Sequence, residues 1–227
     1  MSKSVFIAVP SYLATLDAGC AYSIIGNTRQ LEKSGYKALL HFEVGRCWID
    51  DGRNLCVKKF LESDCDRLLF VDADLGFAPD AMEKILSYNE DIVAGIYPYK
   101  AEKVQPVVPL ETLRYAQKGL LEADWAPTGF MSISRTVFEA LEKAHPDWYA
   151  PNQKRIAFFA NGQIFLGEGD SWWYGEDEGF CRRWQKTGGK IFVAPDISFV
   201  HSGRRDHTIN LKDYLVEKGW YNPPEGD

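Results

Sequence analysis

The sequence predicts an α/β fold, in which a mainly parallel sheet carries helices on both faces within a single domain. Short, fully apolar runs alternate with amphipathic helical patterns between residues 5 and 97. This alternation is typical of right-handed strand–helix–strand crossovers, and fully apolar strands are typical of a sheet that is buried on both faces. The length of 227 residues and the hydrophobic content of 45% suit one domain with a full-sized core.

Four strands and three helices are expected in the first half of the chain. The apolar runs predict strands at residues 5–9, 37–42, 68–71 and 91–97. Helical spacing predicts a first helix with Ile24, Ile25 and Leu31 on its inner face. A second helix is expected from about 52 to 62, and a third is expected after Pro79, because proline suits the first turn of a helix.

The second half is less regular. The sequence predicts helices at 135–143 and 177–186 and a strand at 191–193. Asn161-Gly162 is a strong turn signal and predicts a hairpin between its two flanking apolar segments, 156–159 and 163–166. Residues 100–121, which contain two prolines, are expected to form a long loop with a short helix or hairpin, and the tail from residue 221 is expected to be loose.

Charge and composition exclude several classes of protein. The net charge of -6 and the pI near 5.3 argue against a general nucleic-acid binder, which needs a basic face. No apolar run approaches the ~18 residues of a membrane span, and the first one is too short for the core of a signal peptide. The five cysteines form no CxxC pair and are expected to be reduced thiols, which favours a cytoplasmic location. Aromatic residues make up 14% of the chain, which hints at stacking on sugars or bases.

Asp72 and Asp74 give the strongest chemical signal. They follow the apolar strand at 68–71 directly, and residues at i and i+2 face the same side if the strand geometry continues. Two neighbouring carboxylates are costly unless a cation lies between or beside them, and carboxylate oxygens suit Mg²⁺ or Mn²⁺. The alternative is a polar strand end in which one Asp caps the next turn. The position after a central parallel strand favours the functional interpretation, since such sheets bind ligands there.

Two weaker signals lie later in the chain. Glu176, Asp177 and Glu178 open an amphipathic helix, where the helix dipole alone would favour acids. His201 follows an apolar segment, and a lone histidine in that position is more often structural than a ligand. Each signal alone therefore has a structural explanation.

Together, these signals resemble the family 2-like glycosyltransferases of the GT-A fold, in the compact stand-alone form of bacteria, phages and large DNA viruses. The resemblance covers roughly residues 5–203, and the order and spacing of its motifs carry it. These motifs are Asp51-Gly52-Arg53-Asn54, Asp72-Ala73-Asp74, Gly95-Ile96-Tyr97-Pro98-Tyr99-Lys100, Thr128-Gly129 through Arg135, Gly175-Glu176-Asp177, and Pro195-Asp196 through His201-Ser202-Gly203.

The resemblance implies a role for each matching residue. The donor nucleotide sugar would be bound by Pro10, Tyr12, Arg53, Asp72, Asp74 and Lys100. A divalent ion, Mn²⁺ or Mg²⁺, would be held by Asp72, Asp74 and His201. The general base would be Asp177, with Glu176 as the less favoured choice among the crowded acids, which include Glu168, Asp170 and Glu178. The acceptor side would include Gly129, and Trp172 and Trp173 would either stack on a sugar there or pack in the core. Arg204 or Arg205 would be further cations near the diphosphate.

The resemblance also implies the reaction. We expect metal-dependent transfer of a sugar from a nucleotide-diphosphate sugar, with UDP favoured, to a hydroxyl of a carbohydrate or other acceptor. Inversion at the anomeric carbon is favoured because Asp177 offers a base, and retention, which would use the same metal site, stays open. Residues 1–220 would form one catalytic domain, about 1–100 binding the donor and about 101–220 the acceptor. The resemblance names neither the sugar, nor the acceptor, nor an oligomeric state.

Three other classes of protein remain as alternatives. In haloacid dehalogenase-type phosphohydrolases the first Asp of the motif is a nucleophile, but Gly76 stands here where Thr or Val is usual, and that motif usually lies nearer the N-terminus. A nucleotidyltransferase would need a glycine-rich phosphate loop near Pro10, which the sequence lacks. A non-catalytic carbohydrate-binding protein would explain the aromatic residues but not the paired carboxylates.

Overall fold

The computed structural model describes residues 3–146, 149–150, 155–165, 171–203 and 206–220; for 149, 150, 155, 156, 163–165, 171 and 172 it describes the backbone alone. The helices are α1 (Ala18–Lys33), α2 (Ile49–Leu61), α3 (Ala81–Ser87), α4 (Arg135–Ala144), α5 (Glu176–Lys186) and α6 (Leu211–Glu217). The strands are β1 (Ser4–Ser11), β2 (Lys37–Val44), β3 (Arg67–Val71), β4 (Leu75–Phe77), β5 (Ile92–Gly95), β6 (Leu113–Tyr115), β7 (Leu121–Ala123), β8 (Phe130–Ser134), β9 (Tyr149–Ala150), β10 (Arg155–Ile156), β11 (Gly162–Phe165), β12 (Ser171–Tyr174), β13 (Ile191–Ala194), β14 (Ser198–His201) and β15 (His207–Asn210).

The central sheet has eight strands in the order β2-β1-β3-β8-β5-β13-β7-β6. The parallel pairs are β2–β1, β1–β3 and β5–β13, whereas β8 runs antiparallel to both of its neighbours and β7 runs antiparallel to β13 and β6. Only β8 and β7 therefore oppose the common direction. This architecture confirms the predicted fold class, a mainly parallel sheet within an α/β fold.

The strand order reverses at β1, and this reversal creates a crevice at the edge of the sheet. The chain leaves β1 through α1 to reach β2 on one side, then passes through α2 to reach β3 on the other. Right-handed crossovers in opposite directions place α1 and α2 on opposite faces of the sheet. Their divergence opens a gap beyond the carboxyl ends of β1 and β3, where open α/β sheets bind ligands.

The prediction of a hairpin at Asn161-Gly162 is wrong. The strand after that turn signal, β11, pairs with β12, while β10 pairs with β9. The reason lies in the buried Asn54 of α2. Its side-chain amide donates to the carbonyl oxygen of Phe159 (2.6 Å) and accepts from the amide of the same residue (2.9 Å). The side chain thus satisfies the backbone groups that a hairpin partner would have used.

Several boundaries differ from the sequence prediction. Helix α2 begins at Ile49 rather than 52, and Ile25 is half exposed although the spacing placed it on the inner face of α1. Segment 100–121 contains a 3₁₀ turn and the short strands β6 and β7, which extend the central sheet. Strands β4, β14 and β15 form a separate small sheet. The functional division near residue 100 stays a prediction, and the tail lies outside the described residues.

The core of the described residues is one continuous apolar cluster around the central sheet, including all of Val5–Val9 and Leu68–Val71. Among the described residues, no helix is long and apolar enough to cross a lipid bilayer. The buried strands β1 and β3 end together at the crevice, so the residues that follow them are attached to strands that are almost fully buried.

Candidate functional site

A cavity of about 560 Å³ occupies the crevice at the ends of β1 and β3. It is open on one side and lies between the chain that follows β1 and the chain that follows β3. Its lining comprises Pro10, Ser11, Tyr12, Leu13, Thr15, Leu16, Asp17, Ile49, Arg53, Asp72, Ala73 and Asp74. Five of the six residues that were predicted to bind the donor thus line one cavity, and the sixth, Lys100, reaches its rim through Asp74.

Three separate parts of the chain hold the backbone of the Asp72-Ala73-Asp74 segment. The amide of Asp72 donates to the carbonyl of Gly129 (2.8 Å), and the carbonyl of Ala73 accepts from the amide of Asp17 (2.9 Å). The carbonyl of Asp74 accepts from the amide of Ser202 (2.9 Å). The two carboxylates are therefore presented from a fixed backbone rather than from a loose loop.

Arg53 lies buried between two acids. Its Nη1 donates to Oε1 of Glu176 at 2.9 Å, and its Nη2 donates to Oδ1 of Asp72 at 3.3 Å. Burial alone would lower the pKa of Arg53, but the two carboxylates outweigh it and raise that pKa. Arg53 is therefore a permanent cation that joins α2, the end of β3 and the start of α5.

The two acids keep raised pKa values despite this arginine. Burial raises the pKa of Asp72 against the opposing charge of Arg53, and the nearby Asp74 adds to the increase. Burial likewise raises the pKa of Glu176 against Arg53, and Asp177 adds to it. One buried arginine thus pairs with both carboxylates, and burial still outweighs its effect on their pKa values.

Gly129 and Tyr97 lie close to the side chain of Asp72. A Cβ on Gly129 would lie 2.5 Å from the Tyr97 hydroxyl oxygen and 2.6 Å from Oδ2 of Asp72, so no side chain fits there. Burial raises the pKa of Tyr97 well above its usual value, and the charge of Asp72 adds to this. The Tyr97 ring also meets the His201 ring edge to face, with centroids 5.1 Å apart. Gly129 therefore supports the carboxylate; its predicted contact with an acceptor stays a prediction.

Asp74 faces two cationic or basic groups. Its Oδ2 accepts from Nζ of Lys100, and its Oδ1 lies 3.6 Å from Nε2 of His201. Partial burial opposes ionisation of Asp74, but the bonds with His201 and Lys100 outweigh it and lower its pKa to about 2. Nδ1 of His201 lies 2.8 Å from the carbonyl oxygen of Pro98. Because a carbonyl can only accept, Nδ1 carries a hydrogen. Nε2 donates to Asp74 only when it carries a hydrogen as well; in the neutral ring it has a lone pair that can bind a cation instead.

These donors fit a divalent ion only in part. A carboxylate oxygen and an imidazole Nε2 whose Nδ1–H is fixed by a carbonyl are typical ligands with a typical outer partner. Within the described ranges, however, no group of three His, Cys, Asp or Glu side chains is arranged to hold a metal ion. Oδ1 of Asp72 faces Arg53 instead. The residues present supply two ligands, Asp74 and His201, and the remaining ligands would have to come from a diphosphate or water.

The acids at the start of α5 differ in their contacts. Glu176 is bound to Arg53, and Glu178 pairs with Arg182 at 3.3 Å. Oδ1 of Asp177 accepts from the amide of Glu178 at 2.9 Å. The negative charge of Asp177 also contributes to raising the pKa values of Arg53, Asp72 and Glu176. Asp177 therefore lies beside the cavity without a charged side-chain partner among the contacts described.

The predicted acceptor side is only partly described. Trp173 of β12 is 77% exposed, so its ring is free for stacking, whereas the neighbouring Tyr174 is buried. The backbone of Trp172 pairs with Ile164, and its side chain lies outside the description. Four other residues considered from sequence also lie outside the described ranges: Glu168, Asp170, Arg204 and Arg205.

Sequence reasoning missed several residues of the site. Ser11, Thr15 and Asp17 line the cavity, and the Ser11 hydroxyl donates to the carbonyl of Thr15 at 2.6 Å. Asp17 caps α1 by accepting from the amide of Gly19. An Asp placed directly before a helical pattern is a recognisable capping signal. The role of Tyr97 has no comparable local signal, since it depends on contacts with distant residues.

Comparisons with known proteins give weak structural likeness. No family model matches the chain, and no curated protein matches its sequence. A197 from STIV, whose crystal structure is known, has 18% sequence identity to this chain and a TM-score of 0.49. The match covers 88% of this chain and 86% of A197. Staphylococcus aureus TarS 1–349 is 14% identical, with a TM-score of 0.42 over 84% and 57% of the two chains. A glycosyltransferase involved in glycosylation of the major capsid of PBCV-1 is 13% identical, with a TM-score of 0.34 over 65% and 66%. At these values the interpretation of the site rests on its own geometry.

Proposed function

We propose that the protein is a glycosyltransferase that moves a sugar from a nucleotide-diphosphate sugar to an acceptor hydroxyl. The observation that supports this best is the grouping of Asp74, His201 and Lys100 at the rim of the cavity, with the charge of Asp177 acting on Asp72 and Arg53 of the same cavity. A carboxylate, an imidazole and an ammonium group there suit a metal-bound diphosphate, and a nearby acid suits proton removal from an acceptor.

The donor would lie in the cavity with its nucleotide along the chain after β1. Tyr12 is well exposed at the cavity and offers a ring for stacking on a base, with UDP favoured, and Pro10 and Ser11 form the floor. Arg53 is bound to two carboxylates, so its main part in donor binding would be to keep Asp72 ionised and in place. The diphosphate would then lie towards Asp74 and Lys100.

A divalent ion, Mn²⁺ or Mg²⁺, would be held by Asp74 and His201, with Asp72 close behind. Such an ion stabilises the negative charge on a departing diphosphate. Fixed in one tautomer by Pro98, His201 presents Nε2 as a ligand without further rearrangement. Lys100 would add a second positive charge on the same side of the leaving group.

Asp177 is the proposed general base. It would accept the proton of the acceptor hydroxyl as that oxygen attacks the anomeric carbon, and attack from the side opposite the diphosphate gives inversion. Glu176 is less suited because Arg53 occupies its Oε1. Trp173 offers an exposed ring on which a sugar of the hydroxyl-bearing acceptor would stack.

The test is a comparison of nucleotide release and nucleotide binding. The protein is incubated with UDP-, GDP- and dTDP-sugars and Mn²⁺, and release of nucleoside diphosphate is followed. We expect release with one donor class, its loss in Asp177→Asn, and unchanged nucleotide affinity in that variant. Glu178→Gln is the matched control, since it removes a neighbouring acid that pairs with Arg182.

Three results would contradict the proposal in different ways. If the protein neither binds nor turns over any of these donors, the proposal that it is a glycosyltransferase is refuted. Hydrolysis of simple phosphate esters that depends on Asp72 would favour a phosphohydrolase. Normal transfer in Asp177→Asn would leave the transferase intact but remove Asp177 as the base.

A further inference from the structure

Strand β2 forms an open, apolar edge of the central sheet. It is eight residues long, and among the described strands it pairs with β1 alone. Four of its apolar side chains are between 39% and 48% exposed: Leu39, Leu40, Phe42 and Val44. Natural edge strands are usually short, or blunted by a charge, a proline or a bulge, because an open edge invites pairing with another chain. The centre of β2 has none of these protections.

The exposed residues form one surface with the adjacent helix. Because side chains alternate along a strand, Leu40, Phe42 and Val44 lie on the same face of β2. On α1, Ser23 and Asn27 bond to the chain of Phe77 and Ala78, so that flank faces β4 and α3. Helical geometry then places Ile25, which is also half exposed, on the flank towards β2. An apolar patch thus continues from the strand edge onto α1.

We propose that β2 pairs with β2 of a second copy of this chain, in antiparallel fashion about a two-fold axis, so that the two central sheets become one. The axis passes beside Leu40, which lies opposite the same residue of the second copy. Phe42 then lies opposite Ala38, and the patches on the two copies meet on one side of the joined sheet. Such an interface is self-complementary, as a two-fold dimer requires.

Charge selects this register. With Leu40 at the centre, Lys37 of each copy lies directly opposite Glu43 of the other. Registers shifted by one step in either direction, while still joining like faces, place Lys37 opposite Gly45 or His41. Lys37 is exposed, and the Glu43 carboxylate, which already contacts His41 and Arg46, retains capacity for a further donor. Opposite charges directly across a strand pair stabilise it, and like charges destabilise it.

The oligomeric state of charge-reversal variants tests the proposal. Light scattering after size exclusion should give about 52 kDa for the wild type, twice the 25.8 kDa of one chain. Lys37→Glu and Glu43→Lys should each raise the dimer dissociation constant by at least about tenfold, because each change affects two symmetry-related positions. The double variant Lys37→Glu/Glu43→Lys should restore the dimer.

A second pair of variants separates interface loss from misfolding. Phe42→Lys should give a folded monomer, since that side chain is half exposed in one copy. Its thermal midpoint, unlike that of the dimeric wild type, should not change with protein concentration. Tyr115→Lys, an exposed aromatic residue on the opposite edge strand β6, should leave the dimer intact. A wild type that is monomeric at every concentration, a dimer that tolerates Phe42→Lys, or a double variant that stays dissociated would each overturn the proposal. None of these readouts depends on the proposed glycosyl transfer.

Discussion

Replacing Arg53 by methionine would leave two largely buried carboxylates without their shared cation. Asp72 and Glu176 both bind Arg53, and their pKa values are raised even in its presence. Breaking a buried ion pair by removing one partner typically costs 3–5 kcal/mol. We expect Arg53→Met to lower the free energy of unfolding by about 3 kcal/mol at pH 7.5, which corresponds to a fall of about 6–12 °C in Tm for a chain of this size.

The loss should depend on pH in a defined direction. In the variant the folded-state pKa values of Asp72 and Glu176 lie further above their unfolded values, so ionisation of either acid destabilises the fold. This penalty is absent below the unfolded pKa values and grows as pH rises through them towards the folded ones. Urea unfolding followed by tryptophan fluorescence should therefore show a smaller loss at pH 5 than at pH 7.5.

Two controls isolate the effect. Arg46→Met removes a half-exposed arginine that pairs with Glu43 and Asp51, and it should cost less than about 1 kcal/mol. Adding Glu176→Gln to Arg53→Met removes one of the orphaned charges and should recover part of the stability at pH 7.5. An equal loss at both pH values, or no recovery in the double variant, would refute the argument that buried charge is the cause.

Three further outcomes are expected. Gly129→Ala should lower Tm and weaken nucleotide binding because its methyl group would overlap the side chains of Tyr97 and Asp72. Gly26→Ala, with nothing within 4 Å of the added carbon, should instead stabilise α1 by about 0.5–1 kcal/mol, and equal effects of the two changes on Tm would contradict this. Lys100→Met should tighten Mn²⁺ binding by about two- to fivefold in calorimetry, because the ammonium group of Lys100 competes with the ion for Asp74. Weaker Mn²⁺ binding in the variant would show that Lys100 assists binding of the ion instead. All five cysteines lie within the described residues, and Cys47 alone is exposed. A thiol reagent should therefore label one site per native chain and five after unfolding. Rapid labelling of a second thiol in the native protein would contradict the burial of the other four.

The sequence predicted those parts of the fold that local pattern encodes. The apolar runs predicted β1, β2 and β3, and the rule for ligand sites at strand ends predicted that Asp72 and Asp74 lie at the edge of the sheet where the crevice is. The turn signal at Asn161-Gly162 failed because its outcome depended on Asn54, a residue far away in the chain. Local propensity is a weak prior when a buried side chain offers the backbone other hydrogen bonds.

The same limit explains what was missed in the site. Nothing in the sequence around Glu176 indicates that it binds Arg53, and nothing around Tyr97 indicates that it lies against Asp72. Both relationships arise only when the sheet brings separate strands together. The resemblance grouped five residues that line one cavity, and their roles stay predictions. The partner of each acid follows only from its contacts in the fold.

The three backbone hydrogen bonds that hold the Asp72-Ala73-Asp74 segment also bear on how the chain folds. Their partners, Asp17, Gly129 and Ser202, come from stretches that span most of the chain. Long loops must close before such contacts form, and contacts between distant residues form slowly. The strands β1 and β3 can pair early. The Asp72-Ala73-Asp74 segment, however, reaches its final conformation only after the chain near residue 202 has folded against it. Binding of a nucleotide should accordingly be among the last properties to return when the unfolded chain is refolded.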